Sequence, residues 1–358
     1  MIAGLARRAV VACGVSLLCG LGCAQQSESL REVNERIAYY KGRVDREPQL
    51  YPAFAHLGAA YLDKARLTRD PVWLAQSREA LIRSQEIQSN FDAMKSMAAV
   101  CNYAHRFEEA LHWLDRAAGA MPEDTSLVAM RVEALMALGQ MDEAQRVAAV
   151  GEVNDFYVAA ARGQIAMATG RYDDAKAAFL SAARAAAAQG AASLQAWALI
   201  MAAGSRIDSG RAADAKPLLE AARRLDSESV ELGIHDAEVM EAEGRAAAAL
   251  ARYAELARRT NDPSLHARAF ALARELKRDG QARQHFDAAQ RGFQRAIDAG
   301  EVYTLEALAS LYLEAGASLD RAEQLARRNL DYKKDLAARE LLDQILAARG
   351  KNPAASGH

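Results

Sequence analysis

The chain has 358 residues; 51% are hydrophobic, only 6% are aromatic, and the formal net charge is −2. So small a charge supplies no basic field to hold a polyanion, which argues against nucleic acid as a partner. Alanine makes up much of the apolar share, and because alanine is the best helix former while strands favour branched and aromatic side chains, an all-α fold is expected.

The first segment reads as an address. In MIAGLARRAVVACGVSLLCGLGCAQQ, Arg7 and Arg8 precede an apolar run too short to span a membrane, and small residues follow, the three-part pattern of a signal peptide over residues 1–22. Its end, Gly20-Leu21-Gly22-Cys23, resembles the lipobox of bacterial lipoproteins, although Gly20 stands where that family usually has Leu. The resemblance implies a lipid on Cys23 and, with Ala24 next, an outer-membrane location facing the periplasm. Gly22-Cys23-Ala24 also suits ordinary cleavage after a small-x-small site, which would release a soluble periplasmic protein. Cys13, Cys19 and Cys23 all lie here, so Cys101 is left alone and no disulfide framework exists.

Residues 23–47 form an anchor region and a capping helix: Leu30, Val33, Ile37, Tyr40 and Val44 fall at alternating three- and four-residue steps, an amphipathic face. From 48 to 350 the chain repeats itself. A small residue, a large one four later and a small one three later appear at Ala110/Leu114/Ala117. The pattern recurs as Ala144/Ala148/Gly151, Ala175/Phe179/Ala182, Ala215/Leu219/Ala222, Ala249/Tyr253/Leu256 and Ala282/Phe286/Ala289, at intervals of roughly 31–40 residues. Gly139, Gly170, Gly210 and Gly244 stand five positions before four of the leading alanines, where one helix ends and the chain turns into the next. Each unit is therefore helix, glycine turn, helix.

These units resemble the tetratricopeptide repeat. Leu57-Gly58-x-x-Tyr61 and Leu308-Ala309-x-x-Tyr312 match its first helix, GRYDDAKAAFLSAAR at 170–184 its second half, and Pro122 its terminal proline. The resemblance implies a solenoid of antiparallel helix pairs forming a right-handed superhelix, with about eight units and the last helix as a cap. Asp70-Pro71, within the extra residues between Lys64 and Ser77, predicts a longer loop in the first unit. Residues 351–358 are expected to be disordered.

In the family the concave face carries the partner. Counting positions along each first helix puts an apolar and aromatic strip there, Tyr157, Gln164, Met167, Trp197, Ile200 and Ile207, flanked by Glu133, Glu231, Glu238 and Glu241. Such a groove suits an extended or helical segment with an apolar anchor and basic residues; the alternative is that Trp197 and Ile200 are core and the glutamates a solvated face. The family's Lys/Asn carboxylate clamp is absent. Glu231, His235 and Glu238 share one helix face at i, i+4 and i+7, an arrangement able to hold a cation, but no second histidine follows. No phosphate loop, nucleophile elbow or zinc-spaced cysteine set occurs, so the expectation is a non-catalytic scaffold without metal or cofactor, binding a protein or peptide partner in the cell envelope.

Overall fold

A computed structural model describes residues 30–152 and 154–351. The expected leader, Cys23 and the tail from residue 352 lie outside the described residues. Eighteen helices follow one another, with no strand among the described residues. A single helix, α1 (Leu30–Arg46), comes first. Eight antiparallel pairs come next: α2 (Tyr51–Thr68) with α3 (Val72–Ile87), α4 (Phe91–Tyr103) with α5 (Phe107–Ala120), α6 (Ser126–Ala137) with α7 (Met141–Ala149), and α8 (Phe156–Ala168) with α9 (Tyr172–Ala188). Then come α10 (Ala192–Asp208) with α11 (Ala212–Leu225), α12 (Val230–Ala242) with α13 (Ala246–Thr260), α14 (Pro263–Glu275) with α15 (Asp279–Asp298), and α16 (Leu305–Ala315) with α17 (Leu319–Asn329). A last helix, α18 (Leu336–Lys351), closes the stack.

Small residues let these helices approach. Ala110 and Ala117 of α5 are fully buried around Leu114, and Ala175 and Ala182 of α9 around Phe179; all six are 0% exposed. Helix axes reach the close end of their usual spacing only where such residues meet, and the large side chain fills the hole between them. A buried Leu or Phe stabilises by about 1.5–3 kcal/mol, so one hairpin alone gains too little and each pair depends on its neighbours. Most even-numbered helices also pack on the next, as in α2 on α4, α4 on α6, α6 on α8 and α10 on α12, while the odd-numbered ones make no comparable contact among the described residues. The even helices therefore line the inner rim of the curve, and the odd helices the outer.

The expected long loop in the first unit is not there. The extra residues are helical instead: α2 has 18 residues where α4 has 13, and α3 begins at Val72 directly after Asp70-Pro71. Pro71 stops nothing, because it sits at the N-cap of α3, where its missing N–H has no helical partner to lose. Trp73 stacks on Tyr61 at 5.7 Å and lies under the Lys64 ammonium at 3.7 Å, which fastens the added turn. Five more residues at about 1.5 Å each carry the end of α2 about 7.5 Å beyond its neighbour.

Two charged or reactive positions inside the stack resolve simply. Arg206, 2% exposed where the repeat usually has an aromatic, pairs with Asp173 at 2.6 Å and donates to the Tyr172 carbonyl at 2.5 Å. Cys101 is buried at 1%, and burial pushes its thiol up to about 12, so it behaves as a small apolar side chain. Trp113 packs on the core of the first units with Arg116 over its ring at 4.4 Å.

The crossings are tight enough to test. A Cβ on Gly163 would lie 2.6 Å from the Phe179 ring, which is fully buried. Gly163→Ala should lower the unfolding free energy by about 1–3 kcal/mol, as overpacking does, read as a lower urea midpoint with unchanged helical circular dichroism.

Candidate partner-binding groove and the seam beside it

The expected groove residues lie on four inner helices, α6, α8, α10 and α12, but packing divides them. Ile200 is 2% exposed, Gln164 3% and Glu133 4%. These three lie inside the stack, because adjacent inner helices close over the positions that an isolated hairpin would leave open. Tyr157, Met167, Trp197 and Ile207 are half-buried, packing against the core while keeping part of their surface. Trp197 stands edge-on to both Phe156 and Phe179, with ring centroids at 5.9 Å in each case. It is therefore as much a wedge between two units as a surface residue.

The acidic flank is engaged by the protein's own groups, two of its glutamates by cations and two by neutral donors. Glu133 accepts from the Asn102 amide at 3.2 Å, and Tyr253 donates to Glu241 at 2.8 Å. Glu231 pairs with Arg69 at 3.3 Å, while Glu238 is bound by Arg268 and by His235 Nδ1, both at 2.6 Å. Glu231 and Glu238 thus belong to separate networks rather than to one cation site. Among the described residues no group of three or more His, Cys, Asp or Glu side chains could hold a metal ion. A groove with free acidic flanks for a basic segment is not what these residues build.

The Glu238 network is electrostatically tense. Burial pushes Glu238 up, but Arg268 and His235 outweigh it and hold the carboxyl down at about 2. Burial alone would lower His235; the charge and hydrogen bond of Glu238 reverse that and raise it.

A second feature comes from the far side of the coil. The C-terminal ends of the early inner helices meet the N-terminal ends of the late ones. Arg69, just past α2, reaches Glu231 in the first turn of α12 at 3.3 Å, Asp262 at the N-cap of α14 at 3.5 Å, and the Tyr103 hydroxyl at 3.2 Å. Tyr103, ending α4, packs on Tyr303 just before α16, with rings 5.7 Å apart, and His105 meets the same ring at 6.3 Å. Arg106 donates to the Gly300 carbonyl at 3.5 Å. Beyond α6, Lys334 N–H donates to the Ala137 carbonyl at 2.7 Å, and its ammonium pairs with Glu108 at 2.6 Å. Lys333, 6% exposed, anchors that turn on Glu306, 1% exposed, at 2.8 Å.

This seam joins residues 162 to 226 positions apart. Its charges follow the helix dipoles, with a cation at a C-terminal end and carboxylates at N-terminal ends. Gly139 marks it: φ is +74°, and a Cβ would lie 2.7 Å from the Lys334 carbonyl oxygen, so neither turn nor contact accepts a side chain. Partly exposed ion pairs contribute about 0–1 kcal/mol each and an aromatic pair about 0.5–1.5. The seam is weak beside the alanine-packed interfaces of the stack. Counting repeat positions does not reveal Arg69, Tyr103, Tyr303 or Lys334 as partners; the extra residues after Lys64 are the one local sign.

The Glu238 network makes a pH prediction. Its folded value lies below the ordinary 4.5, so its stabilisation is present above pH 4.5 and lost as pH falls toward about 2. His235 is shifted the other way from 6.5, so its share is present below pH 6.5 and lost as pH rises through its raised folded value. Glu238→Gln should therefore lower Tm by several degrees near pH 5.5 and by progressively less toward pH 2, as thermal melts across that range will show.

No family model matches the chain, and no curated protein matches it. Among solved structures, the human IFIT1 dimer with PPP-AAAA is similar over 92% of this chain and 78% of its own, at 14% identity and a TM-score of 0.48. Yeast Tom70 is similar over 90% and 87%, at 13% and 0.42. A tetratricopeptide repeat protein from Parabacteroides merdae is similar over 83% and 98%, at 11% and 0.38. The repeat assignment rests on this chain's own helix pairs, glycine turns and small-residue crossings. In its described residues the chain is an α-solenoid of tetratricopeptide type.

Proposed function

We propose that the chain is a non-catalytic scaffold that holds a protein or peptide partner against its inner face. The observation that carries this reading is the set of half-buried apolar side chains on two inner helices of the middle units: Tyr157 and Met167 on α8, Trp197 and Ile207 on α10. Apolar surface gathered on a rigid concave scaffold is favourable to cover, and aromatic anchors commonly dominate such contacts. Because the nearby glutamates are already paired, the partner's anchor is apolar rather than basic.

The N-terminal sequence supports a place in a bacterial envelope, with a lipid on Cys23 and the scaffold facing the periplasm of the outer membrane. An anchored scaffold of this kind supports assembly or regulation of an envelope complex. A soluble periplasmic form is the alternative, and the two are separable.

Met167→Glu combined with Ile207→Glu adds charge at half-buried positions without emptying the core. Crosslinking in intact cells followed by mass spectrometry should recover a specific partner from the unaltered chain and lose it in this variant. Retention of the partner with helical content intact removes these residues from the contact. Palmitate labelling should be abolished by Cys23→Ala; an unlabelled parent chain would select the soluble form.

A further inference from the structure

The interfaces of this coil differ in kind. Along the stack, neighbouring pairs meet through fully buried Ala, Leu and Phe, and α6 to α12 share one continuous apolar core. Across the seam, contact is made by charged groups that keep water: the side chains of Arg69 and Glu231 are 25% and 23% exposed, those of Lys334 and Glu108 40% and 68%. The apolar part of the seam is a small cluster of rings: Tyr303, at the edge of the core of the first units, against Tyr103 and His105, which are 7% and 6% exposed. Parting the seam therefore uncovers this one cluster of rings, whereas parting any stacked pair exposes a continuous apolar face. A solenoid also changes pitch cheaply, because small rotations at each repeat add along the array.

From this contrast we infer that the seam is a reversible latch: the two ends of the coil part at Arg69, Tyr303 and Lys334 while every helix pair stays folded, and the opened gap gives access to the inner face. Only the purpose of the opening rests on the partner-binding reading. The latch itself is a property of the chain alone.

The ionic contacts make salt the natural probe, since the screening length shrinks from about 30 Å at 0.01 M to about 3 Å at 1 M. In small-angle scattering, the full chain should expand reversibly between those conditions with unchanged helical circular dichroism. A zero-length carbodiimide joins amines to carboxylates in direct contact, so it reports the two kinds of interface side by side. Its Lys334–Glu108 product should fall several-fold at high salt, whereas the product of Lys95 and Asp124, 3.1 Å apart within the stack, should fall far less. Arg69→Ala with Lys334→Ala should give the expanded form already at low salt. Unchanged dimensions and an unchanged ratio of the two products in the unaltered chain would overturn the latch and make the seam a permanent joint. If the latch opens but Met167→Glu with Ile207→Glu leaves partner capture intact, the groove assignment fails and the latch stands.

Discussion

Close approach of helices through alanine is the constraint on which the rest of this molecule depends. Where Ala110, Ala117, Ala175 and Ala182 are wholly buried, a larger side chain would push neighbouring axes apart. The angle at which each pair settles on the next is thus set by a handful of small side chains. That angle, compounded along eight pairs, bends the array until its late helices pass beside its early ones. The inner face and the seam are both products of the same compounded rotation.

The two products use opposite chemistry. Inside the stack, buried charges such as Arg206 and Lys333 are held by an opposite charge, Asp173 and Glu306 respectively. At the seam, charge is the means of contact, aligned with helix dipoles and left partly wet. Stacked interfaces are consequently mainly apolar and the seam is largely polar around one ring cluster, a division of labour that lets one fold be both rigid in its units and adjustable in its curvature.

Much of the fold could be read from residue spacing, because each repeat carries its own local marks. The alternation of Ala, a large residue and Ala, the glycine turns and Leu57-Gly58-x-x-Tyr61 all act within one or two units. The groove was only half legible. Position within a helix assigns a face, but whether Ile200, Gln164 or Glu133 keeps any surface depends on how closely the next helix lies, and all three are covered. The seam was illegible, since Arg69 and Glu231 become neighbours only through the summed geometry of the units between them. The extra residues after Lys64 stand out as an anomaly, but Asp70-Pro71, which suggests a loop, marks the start of a helix there, and the insertion lengthens α2 toward its distant partners.

The backbone bond from Lys334 to Ala137 alters how the chain can come apart. A linear array of repeats has two free ends and frays from each, losing one unit at a time as its terminal interface opens. Here the late units lean on the early ones, so the ends of the array are not independent. While the seam is closed, loss of the helices around Lys334 would strip contacts from the units of Glu108 and Ala137, so early and late units support each other only as long as the latch is shut. During synthesis the first units can fold as soon as they emerge, yet they stay without their distant supports until Lys334 has been made.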